Sequence, residues 1–290
     1  MTVEEIFKCK ALDDYLGGVA LTSCNAISAL SMAFIECFLE CRESGCGIVD
    51  LESFVSYFNR VVSERLSRAY SCDRVKGLLK ESRRHIEEIY WSIGKVFGSA
   101  LMLCGKLKSR LSIHTRSPIL PLDISLAWDP ILDLPYIPAS SIKGVVRSYF
   151  KNKEIKIDNL GVDNLLGEGE EKGHVGYVIF LDAYPVDCES TLLEPDVITP
   201  HYKEAMDETS VRPTPIVFPT IAPGTKICFP IAINTKQNKR LGNMSIVNKL
   251  IKSIAEALEE GIGAKTSLGY GRIKIEKEQA HKSTTSRQNP

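Results

Sequence analysis

The sequence predicts an α+β protein in which a ferredoxin-like βαββαβ core with large insertions follows a bundle of helices. Three observations lead there. Apolar residues recur at the helical period through the first third of the chain; the period changes to two from Lys106; and the second half then reads strand, helix, strand, strand, helix, strand. The regions that follow are a helical stretch over residues 1–105, a core over 106–276 interrupted at about 116–139 and 183–224, and a polar tail, 277–290, expected to be disordered. At 290 residues with 44% hydrophobic content, the chain is long enough to bury a substantial core, in one large domain or two small ones.

In the helical region, Gly17-Gly18, Ser44-Gly45 and Ser71 separate the periodic segments, and Asp50 is placed to cap the helix carrying Leu51, Phe54, Val55 and Phe58. No side chain from Tyr15 to Ile35 is charged. Asn25 and several Ser and Thr residues dilute that stretch and Glu36 follows it, so it reads as a buried helix of a soluble bundle rather than a membrane span. Arg65, Arg68, Lys76, Lys80 and Arg83 recur at helical spacing as a basic stripe, with Glu64, Glu81, Glu87 and Glu88 to balance it. That stripe is either a solvated face or a contact with RNA or an acidic partner.

From Lys106, Leu107, Leu111 and Ile113 alternate with Lys106, Lys108, Arg110, His114 and Arg116, as in a half-buried strand with a cationic open face. After an interruption containing Trp128 and Pro130, Pro138 ends one element, and Ser140 or Ser141 is placed to cap a helix carrying Lys143, Val146, Arg147 and Phe150. Gly176 to Asp182 reads as the second strand. A long, proline-rich segment without regular pattern runs to about Gly224, of the sort that serves as a functional insertion or partner-binding loop. Thr225 to Asn234 is the third strand, Ser245 to Glu260 an amphipathic helix, and Tyr270 to Glu276 the last strand.

The net charge is zero, which argues against nonspecific nucleic-acid binding through bulk charge, so any polyanion must be met by a local patch. Two patches qualify. The segment Gly261-Ile-Gly-Ala-Lys-Thr-Ser-Leu-Gly-Tyr-Gly271 puts glycines, Lys265, Thr266 and Ser267 into one loop between helix and strand. Glycine permits φ > 0 and close main-chain approach, so N–H groups at Gly261, Gly263, Gly269 and Gly271 are placed to converge on a phosphate while Lys265 and Arg272 supply charge. A nucleotide-binding P-loop is excluded, because Ala264 stands where that motif needs glycine and the helix comes before the loop. A purely structural tight turn stays open beside phosphate contact. In the second patch, Lys143 and Arg147 lie four residues apart on one helix face, after Ser140 and Ser141, whose helix N-terminus is placed to receive a phosphate. With no aromatic signature on the first strand, base stacking on the sheet is not expected, and a sequence-indifferent track along the ribose-phosphate backbone fits better.

Catalysis finds less support. His114, His174 and His201 are acid–base candidates and Asp196 with His201 a further pair, but each reads more simply as a surface or hydrogen-bonding group. Nine cysteines scattered without a paired framework, and no charged-then-apolar leader ahead of them, are expected to be reduced cytosolic thiols. Cys37, Cys41 and Cys46 lie close together but lack a CxxC pair or neighbouring histidine, so neither a metal nor another cofactor is expected.

Tyr136-Ile-Pro-Ala-Ser-Ser-Ile-Lys-Gly-Val-Val-Arg147 resembles the PYIPGSSIKGxxR signature of the RAMP superfamily of CRISPR-associated proteins, with Ala139 at the usual glycine, and the glycine loop resembles that superfamily's C-terminal G-rich motif. Within it, Pro195-Asp-Val-Ile-Thr-Pro-His-Tyr202, Pro213-Thr-Pro-Ile-Val-Phe218 and Gly261 through Arg272 resemble the sixth-subunit family of type III-B Cmr effector complexes. The resemblance covers residues from about 106 to 276. It implies a cytoplasmic, noncatalytic antiviral subunit that binds guide RNA near its 3′ end and meets target RNA in the assembled complex. Its implied neighbours are the repeating backbone RAMP subunit, the small helical subunit and another RAMP subunit. It also implies that the insertion at 183–224 acts as a thumb on the guide–target duplex or docks on the adjacent subunit. The alternatives are a RAMP endoribonuclease processing guide precursors, working through a histidine such as His114 or His201, and a protein-binding adaptor using the basic stripe.

Overall fold

The computed structural model describes residues 10–16, 25–44, 51–116, 120–168, 173–199 and 215–276. In chain order the elements are α1 (Lys10–Leu16), α2 (Ala26–Ser44), α3 (Leu51–Ala69), α4 (Cys72–Phe97), β1 (Gly98–Leu107), α5 (Ala139–Asn152), α6 (Val162–Leu166), β2 (Val178–Phe180), β3 (Tyr184–Asp187), β4 (Leu193–Ile198), β5 (Ile216–Ile221), β6 (Lys226–Asn234), α7 (Met244–Glu260) and β7 (Ile273–Ile275). The chain divides into two compact units. One comprises Met1–Val75, Ser112–Asp133 and Glu189–Ala222, the other Lys76–Leu111, Leu134–Cys188 and Pro223–Pro290.

In the first unit, Phe54, Phe58, Val61, Val62 and Leu66 recur along one side of α3 and are buried. Phe34 of α2 meets Phe54 edge to face, with ring centroids 5.3 Å apart. The helix α3 also packs on a hairpin in which β4 and β5 pair antiparallel from Leu193 opposite Ile221 to Ile198 opposite Ile216. The segment expected to lack regular pattern therefore holds paired strands. Prolines at 195 and 219 hide them in the sequence, yet they lie directly opposite one another in a two-stranded ribbon, where each strand has an edge that needs no N–H donor. Buried Asp133 ties the unit together: its carboxylate accepts the Ala26 N–H at 3.0 Å and Trp128 Nε1 at 3.0 Å on one oxygen, and the Tyr70 hydroxyl at 2.9 Å on the other. A long-range aspartate thus caps α2, a role no local spacing predicts. Among the described residues no helix is long and apolar enough to cross a membrane. The α2 face at Met32, Ile35 and Leu39 is nonetheless exposed rather than buried.

In the second unit the sheet order is β2-β6-β1-β7, with β3 also pairing β6, and all pairs are antiparallel. Leu101, Leu103 and Leu107 of β1 and Ile227, Phe229, Ile231 and Ile233 of β6 are buried, and the period of two sends them to one face. Onto the sheet pack α5, through Ile142, Val146 and Phe150, and α7, through Val247, Leu250, Ile254 and Leu258, positions spaced at the helical period. Each large aliphatic or aromatic side chain so buried contributes about 1.5–3 kcal/mol.

The first strand is displaced from its expected place. It begins at Gly98 and ends at Leu107, so helix stops short of residue 105 and the alternation at 108–116 does not continue the strand. Apolar residues at every other position are necessary for a strand but supply no hydrogen-bonding partner. The ladder with β6 ends at Lys106 opposite Lys226, and His114 stands in the left-handed region at φ 57°. The expected second strand, Gly176 to Asp182, is shortened to β2, and β3 lies beyond its expected end. The expectation of reduced thiols is also corrected. Cys104 and Cys228 sit directly opposite on β1 and β6 with Cα atoms 4.1 Å apart and form a disulfide, and Cys37, Cys41, Cys72 and Cys188 are disulfide-bonded as well. Spacing in sequence could not signal the first pair, whose members are separated by 124 positions. Asp50, Gly17-Gly18, Gly45, Cys46 and the tail beyond Glu276 lie outside the described residues.

Candidate functional site

The turn from α7 into β7 is built by its glycines in two different ways. Gly261 ends α7 at φ 121° and Gly271 enters β7 at φ 68°, and both are buried. A Cβ on Gly271 would stand 1.8 Å from the Ile262 carbonyl oxygen, and one on Gly261 would stand 2.7 Å from that of Tyr270. These two glycines close the loop upon itself, with the Ile262 N–H donating to Gly271 O at 3.0 Å and the Gly271 N–H to Arg110 O at 2.8 Å. The structural turn is thus real at its base.

At the loop's crest the arrangement differs. Lys265 takes the left-handed conformation at φ 59°, a strained state for a residue with a Cβ, and Thr266 to Leu268 form one 3-10 turn ended by Gly269 at φ 86°. Among the described residues, the N–H groups of Gly263, Ala264, Thr266 and Ser267 donate to no backbone carbonyl. Gly263, Ser267 and Arg272 are exposed. The Lys265 ammonium lies over the Tyr270 ring at 5.0 Å, and the Arg272 main-chain N–H is held by Ser109 Oγ at 3.1 Å, leaving its guanidinium on the surface. Main-chain donors without a backbone acceptor beside two cations are suited to an anion.

The second patch lies at the start of α5. Pro138, not Ser140 or Ser141, is the residue that precedes the helix, and no side chain of that turn caps it. Asp182, following β2, comes in from the side instead: its carboxylate accepts the Ala139 N–H at 2.6 Å. One donor of the helix N-terminus expected to receive a phosphate is therefore already met by a carboxylate. Lys143 and Arg147 do share a face, and with Ser140, Glu168 and His174 they line an open groove of about 620 Å³ against Phe180. Arg147 is not free in it. Its Nη1 bonds Asp163 Oδ1 at 2.7 Å and its Nη2 bonds the Gly167 carbonyl, so it braces α6 against α5. Lys143 remains as the cation of this groove and makes no ion pair among the described residues.

Sheet directions bring the two patches to the same end. Because β1 and β2 are both antiparallel to β6, the helix α5 between them must run back against β1; α7 joins β6 to β7, which both run against β1, and so runs opposite to α5. The Tyr149 hydroxyl donates to Glu256 Oε2 at 3.2 Å, and stepping from Tyr149 toward Lys143 goes the same way as stepping from Glu256 toward Gly261. Burial first, and then Glu256, raises the Tyr149 phenol above its ordinary pKa, so it stays a neutral donor here.

Other expected candidates fare differently. The basic stripe is broken, because Arg65 and Arg68 belong to α3 and Lys76, Lys80 and Arg83 to α4, with helix interrupted between them; Arg65 pairs with Asp13 at 2.5 Å. His114 is exposed in a different unit from His174, and His201 lies outside the described residues. Buried Asp196 accepts the N–H of its neighbour Val197 at 2.8 Å. Among the described residues no group of His, Cys, Asp or Glu is placed to hold a metal ion. Asp182 and Ser109 are the participants the sequence reading missed, since neither adjoins the segment it orders.

Comparison with known proteins shows the family and the fold. The model of the RAMP superfamily matches residues 113–274. The CRISPR system CMR subunit Cmr6 of Saccharolobus solfataricus is 32% identical over 228 residues, covering 79% of this chain and 74% of that protein. A chain in a cryo-EM structure of the type III-B Cmr-beta complex bound to cognate target RNA is similar in fold, with a TM-score of 0.71 at 24% identity over 98% of this chain and 100% of that one.

Proposed function

The chain belongs to the RAMP superfamily, and from that premise we propose that it is a noncatalytic guide-RNA-binding backbone subunit of a type III-B, RNA-targeting antiviral effector complex, seated near the guide's 3′ end. The observation that carries the reading is the crest of the glycine loop, where main-chain donors at Gly263, Ala264, Thr266 and Ser267 stand without a backbone acceptor beside Lys265 and Arg272. Main-chain donors and flexible cations hold phosphates without reading bases, which suits a protein whose partner strand delivers sequence by pairing. Ser140, Ser141 and Lys143 extend the track along α5, with Arg147 holding the groove's wall in place.

The sheet order, with β1 between β6 and β7 and β2 at the far edge, supports a ferredoxin-like βαββαβ core behind an N-terminal helical region. The described part of the 183–224 insertion, the hairpin of β4 and β5, packs on α3 of this chain; residues 200–214 lie outside the described residues. Partners of the proposed subunit are guide and target RNA, the repeating backbone RAMP subunit, the small helical subunit and another RAMP subunit, in the cytoplasm. Disulfides there fit a chain that works hot, since intracellular proteins of hyperthermophiles are disulfide-rich.

Crosslinking in the assembled complex, with sequencing of the attached RNA, is the direct test. Guide 3′ segments attached at the glycine loop are expected, and attachment only at other surfaces overturns the reading. The purified chain should hold RNA with a log–log salt slope of about −3 if about four phosphates are neutralised on a single strand. A second reading has one foothold, His174 in the groove beside Lys143: an endoribonuclease processing guide precursors. It predicts that the wild-type chain cleaves a labelled repeat RNA and that His174→Ala does not, and an intact substrate ends it.

A further inference from the structure

The opposite face of the sheet carries a feature that the glycine loop does not use. Residues directly opposed on neighbouring strands point to the same face. Lys106 of β1 stands opposite Lys226 of β6 on one side and Lys274 of β7 on the other, so a row of lysines crosses three strands at intervals of about 4.8 Å. Like charges set directly opposite are destabilising. The row lies two residues beyond Cys104 and Cys228, on the face where α4 and the sheet enclose a groove of about 400 Å³.

Into that groove α4 brings Tyr90 and Trp91, whose rings meet edge to face at 5.3 Å. Trp91 is 44% exposed, whereas Tyr90 is buried and the other tryptophan, Trp128, is only 4% exposed. Lys226 is met by acids: Glu276 bridges to it at 3.3 Å, Asp187 stands opposite it on β3, and Glu87 lines the groove, as does Arg83. At the other end, exposed Lys274 makes no ion pair among the described residues.

We propose that this face holds a second length of single-stranded nucleic acid, with one base stacked on Trp91 and the adjoining phosphates on Lys106 and Lys274. A stacking ring beside a cationic row is how proteins hold single strands without sequence preference, because every base presents a π-face. An acidic protein segment would satisfy the lysines but leave the exposed indole face without a counterpart. The aromatic comes from the helix before the first strand, so base stacking on this sheet does not require aromatics on its central strands. The inference is independent of the glycine-loop reading.

The test is intrinsic tryptophan fluorescence of the full chain titrated with an unstructured polypyrimidine RNA. Since Trp128 is buried, quenching reports on Trp91. Wild type is expected to lose emission on binding, and Trp91→Leu to lose the quench and bind about tenfold more weakly. Lys106→Ala with Lys274→Ala should reduce the log–log salt slope by about 1.4. Unchanged wild-type emission at saturating RNA overturns the proposal, as does an unaltered slope in the double variant, or quenching by polyglutamate in place of RNA. The two sites separate cleanly: Lys265→Ala with Arg272→Ala should weaken binding yet keep the quench at saturation. If that variant binds like wild type, the loop reading fails while the quench still stands for this one; if wild type binds without any quench, only the loop survives.

Discussion

Gly271 and Ile262 approach so closely that the α-carbon of one faces the carbonyl of the other with no room for a side chain: a Cβ on Gly271 would lie 1.8 Å from Ile262 O. The clash is with backbone, which cannot rotate away, and Gly271 also stands at φ 68°. Gly271→Ala is therefore expected to destabilise the second unit by at least about 3 kcal/mol. Gly269, at φ 86° with open space around its α-carbon, should cost only about 1–2 kcal/mol as alanine. Thermal denaturation of the two variants side by side checks the ranking, and equal losses would refute the account.

At the start of α5 the Asp182 carboxylate occupies a donor that a phosphate would otherwise use. Asp182→Asn keeps an oxygen acceptor for the Ala139 N–H while removing the charge. Stability should change by less than about 1 kcal/mol, and RNA affinity at low salt should rise about two- to fivefold. A drop in affinity would mean that the helix N-terminus plays no part in the track.

Arg147 and Lys143 line one groove but should behave differently on truncation. Arg147→Ala strands Asp163 and the Gly167 carbonyl, so a loss of about 1–2 kcal/mol in stability is expected, and lysine should not rescue a fork that bonds two separate acceptors. Lys143→Ala should leave stability within about 0.5 kcal/mol and weaken RNA binding alone. Denaturation curves and binding isotherms on the same preparations distinguish the two roles.

Reducing the Cys104–Cys228 bridge removes a link between positions 124 apart, and losing a native disulfide typically costs about 2–5 kcal/mol, the chain-entropy account putting a loop of this length near the top of that range. The thermal midpoint should fall under reductant, which opens the other disulfides as well, and Cys104→Ala with Cys228→Ala, which isolates this bridge, should melt below wild type without it. A midpoint indifferent to reductant in wild type would show that the bridge constrains nothing.

Asp133 gathers donors from Ala26, Tyr70 and Trp128. Asp133→Ala leaves the Ala26 N–H and the Trp128 indole buried without their acceptor, while the Tyr70 hydroxyl keeps the main-chain oxygen of residue 133, and a loss of about 2–3 kcal/mol in the first unit is expected. Because the Trp128 indole is one of the orphaned donors, its emission should shift to the red as that unit loosens.

The helices α3, α5 and α7 were legible because burial on one side imposes a period: Phe54 and Phe58, Val146 and Phe150, Leu250 and Ile254 recur as a buried face requires. Strand β6 was legible for the same reason at a period of two. The strand β1 was misplaced because Leu107, Leu111 and Ile113 alternate equally well whether or not a partner strand is present, and only the ladder with β6 says where pairing stops. The hairpin of β4 and β5 was hidden by prolines that an edge strand tolerates.

Local chemistry in the sequence determined that a glycine-rich, cationic turn would follow the last helix and that a serine-lysine-arginine face would open the earlier one. Which of those residues face outward was settled only in three dimensions. Gly261 and Gly271 turned inward to close the loop, Arg147 was taken up by Asp163, and Asp182 arrived from outside the motif to cap α5. The physical reason is that φ/ψ freedom and charge are properties of a residue, whereas hydrogen-bond partners, register and accessible surface are properties of pairs, and the members of these pairs lie far apart along the chain.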